Sequence, residues 1–560
     1  MRQRFAVGAA AALLAVTVSG IPAGADASAS GGSDTDYVVL YRETATNGEG
    51  AAAVRRAGGT ITSVNDRVGL AAVRSSNPSF VADVTREQSV EGASTERVIG
   101  RVPAGHKRDS VERDRTKGNR PASAARVAQP QTEPLGGLQW DMQMIKATPG
   151  GSYRVQQGDA RVLVGDIDTG IDGNHPDIKP NFSKALSRNF THDLPIIDGP
   201  CSEEPDKSCS DPNDVDEDGH GTHTAGTIGA AINQLGIAGV APKVTLVNLR
   251  AGQDSGYFFL KPSVDALTYA GDIGVDVVNM SYYIDPWLYN CPANPADSSD
   301  EQRQQQTIIS ATQRALDYAH NHGVTLVSAS GNEFTDLGHP KVDDTSPDFP
   351  PGTEKHRSIS NKCLDMPTEG EHVIVVNAVG PTQRKAYYSN FGIEQTTVAA
   401  PGGDRRSYYG TDAWNAPENR ILSTYPRAAL EQEGLIDEDG VPIDPLAVRN
   451  CDHGVCAYYA YLQGTSMASP HAAGVAALIV SQFGHPDPNH SGGLTLDPDQ
   501  VLRSLQDSAH EHACPTPRLF HYPDPDLPPE YDSWCEGDIG LNGFYGYGIV
   551  DALAAVRPIP

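Results

Sequence analysis

An α/β fold with a parallel sheet flanked by helices, preceded by a small α+β unit, is predicted by three observations. Short apolar runs rich in Val, Ile and Leu recur through the middle of the chain at 162–167, 244–249, 275–280, 324–329 and 373–378. A short apolar run bounded by Gly or polar residues reads as a buried strand, and helical pattern falls between the runs, which argues for strand–helix alternation. The third observation is a small-residue turn at 463–469 leading into an apolar stretch to Val480, which reads as a helix buried on all sides.

In chain order, the first thirty residues carry Arg2 and Arg4, then an apolar stretch from Phe5 to Val18, then small residues at Ala23-Gly24-Ala25. This is the pattern of a secretory signal peptide, assigned to 1–29. The stretch is short for a bilayer crossing, and no other uninterrupted apolar segment of that length occurs, so a secreted chain without a stable membrane span is expected. Residues 36–102 read as a separate unit. Asp36–Tyr41, Thr60–Val64 and Leu70–Val73 are strand-like, and Gly50–Ala57 is Ala- and Arg-rich and helical in pattern. Segment 101–127 follows with eight Lys or Arg and three Asp or Glu and reads as an exposed linker. The division expected is 30–127 for this unit and linker, a cleaved pro-domain, and 128–560 for the main body.

Charge is segregated along the chain. Residues 1–127 hold 17 basic and 13 acidic side chains; 128–560 hold 26 and 58, within a net charge of −28. An acidic body disfavours a nucleic-acid partner, because phosphate recognition depends on Lys and Arg. The eight cysteines all lie in that body. An even number in an exported chain suggests disulfides. Neighbouring pairs (201–209, 291–363, 451–456, 514–535) are the simplest arrangement, although eight cysteines allow 105 connectivities. No CxxC pair is present, which disfavours a zinc ribbon or a thioredoxin-type site.

Three short motifs carry chemistry. At Val162–Asp172 an apolar run ends in Asp168-Thr169-Gly170, placing the Asp168 carboxylate at a strand's C-terminal edge, where α/β folds build sites. Asp-Thr-Gly also marks aspartic proteases, which need two such carboxylates, and a second is missing. Asp166 shares a strand face with Asp168, and a buried carboxylate there needs a partner. At Asp218–Thr227 two histidines sit in a run of small residues. His220 is expected at the helix start facing a cleft, His223 reads as a buried structural residue, and the absence of HExxH disfavours zinc. At Gln463–Val480, Ser466 sits at a helix N-terminus, where backbone N–H groups favour a developing negative charge, with Pro470 tolerated only early in the helix. The lipase-type G-x-S-x-G elbow is absent.

Together DTGID, GHGTHTAGT and GTSMASPH, in the order Asp, His, Ser, resemble the catalytic motifs of the subtilisin-like serine proteases. The resemblance runs from about Leu138 to Ser481 and resumes at Tyr547–Ala552. It implies a three-layer subtilisin-like fold and an endopeptidase that needs no cofactor for its chemistry. It also implies a monomer acting on protein or peptide substrates, with the 36–102 unit as intramolecular inhibitor. Carried over motif by motif, Ser466 is the nucleophile, His220 the general base and then acid, and Asp168 the orienting carboxylate. Asn332, at the end of Val324–Asn332, resembles the oxyanion-hole donor. Ser281, Tyr282, Tyr283, Ser330 and Gly331 match the substrate-binding positions. Tyr282-Tyr283-Ile284 stands where the family has Leu-Gly-Gly, a change expected to reshape the specificity pocket. Asp177 and Asn233 match ligands of a family calcium site, and Asp214–Gly219 reads as the start of a second oxygen-rich loop. Insertions at about 285–308, 333–366, 404–460 and 484–540 are expected to wall the cleft, a feature of a dedicated precursor-processing protease.

Overall fold

The computed structural model describes residues 35–95, 111–113, 133–195, 197–202 and 207–557. The signal peptide expected at 1–29 lies outside them, as does the basic linker apart from Val111–Arg113.

The N-terminal unit is a four-stranded antiparallel sheet of β1 (Thr35–Tyr41), β2 (Thr60–Asn65), β3 (Leu70–Ser75) and β4 (Val90–Thr95) in the order β2-β3-β1-β4. Helices α1 (Asn47–Arg56) and α2 (Phe80–Val84) cover one face. A capping box starts α1: the Thr46 hydroxyl accepts from the Glu49 N–H while the Glu49 carboxylate accepts from the Thr46 N–H. Side chains on the two strand faces alternate. Tyr37 and Val39 join α1 and α2, whereas Val38 and Leu40 face the opposite way, into the core of the main body.

The main body is built on a seven-stranded sheet whose pairs are all parallel: β5 (Leu163–Ile167), β6 (Arg188–Asn189), β7 (Thr245–Arg250), β8 (Val277–Met280), β9 (Thr325–Ala329), β10 (Val373–Val379) and β11 (Val398–Pro401), in the order β11-β10-β9-β8-β5-β7-β6. A parallel sheet is covered on both faces, which is why its strands read as near-continuous apolar runs. Val164, Val277, Val327 and Val376 pack on one side with α3 (His220–Gly229) and α6 (Thr465–Phe483). Val247, Leu249, Val278 and Leu326 pack on the other with α4 (Leu260–Ile273) and α5 (Ser299–Asn321). This is the expected three-layer α/β arrangement.

Four disulfides join Cys201–Cys209, Cys291–Cys363, Cys451–Cys456 and Cys514–Cys535, the neighbouring pairing. The insertion at 404–460 contributes a three-stranded sheet of Ile421–Thr424, Ala447–Asp452 and Val455–Leu462. Among the described residues no helix is long and apolar enough to cross a membrane.

Candidate active site

Asp168 follows β5 and is fully buried. Its Oδ1 accepts the Thr169 N–H at 2.7 Å and lies 2.7 Å from His220 Nδ1. A carboxylate there fixes the proton on Nδ1 and leaves Nε2 turned to the cleft. His220 is the first residue of α3, directly after Gly219 at φ +99°. A Cβ on Gly219 would lie 2.5 Å from the Tyr425 ring, so glycine is required for shape and for backbone angle alike. Asp216 ties the helix start to the strand end. It accepts from the Gly219 and Thr222 N–H groups at 2.9 Å and from the Thr169 and Thr222 hydroxyls. The Asp214–Gly219 loop is therefore engaged in hydrogen bonds rather than opened as a cation cage: Asp214 meets Lys184 at 2.6 Å, and Asp218 accepts from the His220 N–H.

The partner that Asp166 needs is double. Thr224 Oγ1 donates at 2.6 Å and Asn279 Nδ2 at 2.9 Å, while burial and the neighbouring Asp168 push its pKa up. His223 is structural as read from the sequence. Its Nε2 lies 3.2 Å from the carbonyls of Ile421 and Ala460, and burial pushes its pKa down to about 3.

Ser466 occupies the first turn of α6, behind Gly464. Pro470 lies inside this helix. Lacking an N–H, it leaves the carbonyl four residues earlier, that of Ser466, without its helical donor, and the Ser281 hydroxyl takes that place at 3.2 Å. The nucleophile's turn is thereby tied to the segment following β8. Asn332 follows Gly331, which is held at φ +96°. Thr465 donates to Asn332 Oδ1 from its N–H at 2.9 Å and its hydroxyl at 3.0 Å, leaving Nδ2 directed at the cleft.

A residue the motifs did not reveal sits among these groups. Glu112 places Oε1 2.6 Å from Ser466 Oγ and 3.2 Å from Asn332 Nδ2, with Oε2 3.5 Å from His220 Nε2. The serine proton goes to this carboxylate in place of the imidazole. Arg113 pairs with Asp218. Burial alone would raise the Glu112 pKa, but the charge of His220 and the bonds from His220 and Ser466 bring it down to about 2. Burial lowers the His220 pKa, and the charges of Asp168 and Glu112 overcome this and hold it well above the usual imidazole range.

The cavity around Ser466 is about 320 Å³ and is bordered by Ser281, Tyr282, Tyr283 and Gly331. Tyr282 does not fill it. Its ring stacks on Phe258 with centroids 4.3 Å apart, and the Tyr283 hydroxyl donates to Asp348 at 2.5 Å. Ser330 is fully buried and donates its hydroxyl to the Asn390 carbonyl. The expected calcium pair also comes together differently. Asn233 Nδ2 donates to Asp177 Oδ1 at 3.1 Å, while Ile237 N–H and the Tyr459 hydroxyl donate to Oδ2. Burial raises the Asp177 pKa to about 6. Burial and the charge of Asp177 raise neighbouring Glu133 to about 7 against the N–H groups of Asn233, Gln234 and Leu235. Calcium requires oxygen ligands. Asp177 and buried Glu133 bring two carboxylates, ligands of that kind, together in this loop.

Comparison with known proteins agrees with the motifs. Residues 159–548 match the Subtilase family (Peptidase_S8). Subtilisin DY of Bacillus licheniformis is 28% identical over 350 residues, covering 62% of this chain and 84% of that protein. The nisin leader peptide-processing serine protease NisP of Lactococcus lactis is 28% identical over 358 residues, covering 63% of this chain and 45% of NisP. In fold, the epidermin leader peptide processing serine protease EpiP of Staphylococcus aureus aligns with a TM-score of 0.61 at 20% identity, covering 94% of this chain and 98% of EpiP.

Proposed function

The chain belongs to the subtilase family and is a serine endopeptidase, and from that premise we propose that Asp168, His220 and Ser466 are its triad and that the arrangement described is its proenzyme. In the open enzyme His220 Nε2 takes the Ser466 proton as Oγ attacks the peptide carbonyl. Asp168 orients the ring and stabilises the imidazolium, and Asn332 Nδ2 donates to the oxyanion. Collapse expels the amine, which receives the proton from His220. Water then repeats the sequence on the acyl-enzyme.

The observation that carries the reading is the Glu112 carboxylate. It lies between Ser466 Oγ and Asn332 Nδ2, where a reacting carbonyl oxygen would bind, beside an imidazole already bonded to Asp168 at 2.7 Å. The same contacts support an inhibitory role for the N-terminal unit, since a substrate must displace Glu112. Export is supported by the sequence of residues 1–29 and by the disulfides. A precursor-processing role is supported by the long insertions around the cleft and by the names of the relatives NisP and EpiP. Labelling with a serine-directed fluorophosphonate tests the reading. The mature protein is expected to label stoichiometrically at Ser466, and Ser466→Ala to abolish labelling and leave the N-terminal unit attached. A folded mature protein that neither labels nor hydrolyses peptides would refute it.

A further inference from the structure

One wall of the catalytic cavity carries a carboxylate with no counter-charge. Asp365 borders the cavity together with Ser281, Gly331, Glu333, Thr345 and Thr368. It is 2% exposed, and its Oδ1 has no hydrogen-bond partner. Its nearest charges are of its own sign: Glu369, Glu333 and Asp343 all act against its ionisation. Glu369 accepts the Asp365 N–H, and Asp343 is paired with Arg357 at 2.7 Å, so neither relieves it. Among the described residues bordering the cavity, the cationic side chains are Arg113, which belongs to the pro-segment and is bound to Asp218, and His220, which is held by Asp168 and Glu112. A buried carboxylate left in this state costs folding free energy, and a ligand that brings a cation removes that cost.

We propose that Asp365, with Glu333 beside it, is the specificity determinant of the S1 pocket, and that the enzyme cleaves after Arg or Lys. This rests on the endopeptidase reading and names its substrate class. The pocket lies between the Ser281–Tyr283 edge and the Ala329–Gly331 strand end, beside the nucleophile. A carboxylate in that pocket is the device by which a serine protease selects a basic side chain. The planar guanidinium of Arg can satisfy two carboxylate oxygens at once. The chain itself offers such a substrate: the segment 101–127, whose residues 111–113 thread the cleft, holds eight Lys or Arg. Maturation therefore ends at a basic residue of that segment.

The test is a panel of fluorogenic peptides identical except at the residue before the cut (Arg, Lys, Gln, Leu, Phe or Glu), assayed with mature enzyme titrated by fluorophosphonate. Arg and Lys peptides are expected to exceed the others by about 100-fold in kcat/KM, the scale of a desolvated charge pair. Benzamidine, which mimics the Arg side chain, is expected to inhibit competitively. Asp365→Asn is expected to lose most of that preference and the benzamidine inhibition, its kcat/KM falling far more for the Arg peptide than for the Leu peptide. If that variant does not fold, the wild-type panel and benzamidine decide alone. An enzyme that labels fully yet prefers an uncharged or acidic residue, or an Asp365→Asn variant that slows Arg and Leu peptides equally, overturns the assignment and leaves the protease intact. Failure to label and to cut any peptide would remove both readings.

Discussion

At Glu112 the latch is governed by two titrations of opposite sense. The His220 pKa is raised above its ordinary 6.5, so its contribution is complete below pH 6.5 and fades as pH rises through the raised value. The Glu112 pKa is lowered from 4.5 to about 2, so its contribution is complete above pH 4.5 and fades as pH falls toward 2. The latch is therefore tightest between these limits. Fluorophosphonate labelling of the intact proenzyme is expected to be slowest near pH 5–6 and to accelerate on the alkaline side. Glu112→Gln is expected to label faster and to move the alkaline rise to lower pH, because His220 must still lose its proton to act as base but has lost one of the two charges that raise its pKa; an unshifted rise would contradict the charge pairing. At Asn332, replacement by Ala is expected to cost about 10²–10³ in kcat with KM little changed, a magnitude that comes from a subtilisin; steady-state kinetics on one peptide checks it. Asp168, His220 and Ser466 were legible because each lies in a local run whose small residues exist to place it. Glu112 and Asp365 were not. One is among three acids in a basic run and the other sits at the end of a Pro- and Asp-rich insertion, and only the packing of distant segments gives either a role.

Among the elements, α4 and α5 serve both the sheet and the N-terminal unit. Arg314 on α5 donates to the Tyr41 carbonyl at 2.7 Å and pairs with Glu91 and Glu43, while Asn65 donates to Thr268 and Asp265 on α4. Arg314→Ala is expected to destabilise the proenzyme by about 1.5–3 kcal/mol, the range for hydrogen bonds to charged groups, and to leave the mature enzyme nearly unchanged. Paired denaturant unfolding of the two forms measures the difference, and equal losses would place the effect within the main body. Five of the seven strands of the main sheet were readable from their apolar runs to within a residue or two; the short edge strands β6 and β11 were not. Helix α5 carries little amphipathic signal in its first half, which is polar and rich in Gln. A capping box of Ser298 and Glu301 starts it, and its glutamines are used internally: Gln304 meets Trp287 at 3.0 Å, and buried Gln305 accepts from Arg357 and donates to Asp297. Amphipathic periodicity does not register a helix whose polar residues are the buried ones.

For the whole molecule, stability beyond the sheet is set by bridges between insertions. Cys291–Cys363 spans 72 residues and Cys451–Cys456 spans 5. On chain-entropy grounds the first contributes about 4 kcal/mol and the second about 2 kcal/mol. The double replacement Cys291→Ala with Cys363→Ala is thus expected to lower Tm more than the Cys451/Cys456 pair does. It is also expected to weaken cleavage after Arg, since Cys363 lies two residues before Asp365. Calorimetry and the peptide panel report the two effects, and equal Tm losses would contradict the loop-length argument. The acidic body and the order of motifs were visible in the sequence, whereas the disulfide pairing, one of 105 arrangements there, is fixed by the fold. The enclosed ion clusters were not visible there: Arg250 with Asp193 and Asp254, and Arg357 with Asp297 and Asp343, each need an acid 57 or 60 residues from its arginine.

Val38 and Leu40 are inserted among the apolar side chains of α4 and α5, and this has a consequence for timing. Cutting the chain between the two parts does not uncover that greasy seam, because a severed partner held by an apolar face dissociates slowly. On the inhibitory role proposed for the N-terminal unit, activation is then a two-stage clock: scission sets it running, and the destruction of the detached fragment, by an enzyme already freed elsewhere, lets it strike. Purified proenzyme would show a lag followed by a sharp rise in proteolysis, steeper at higher protein concentration.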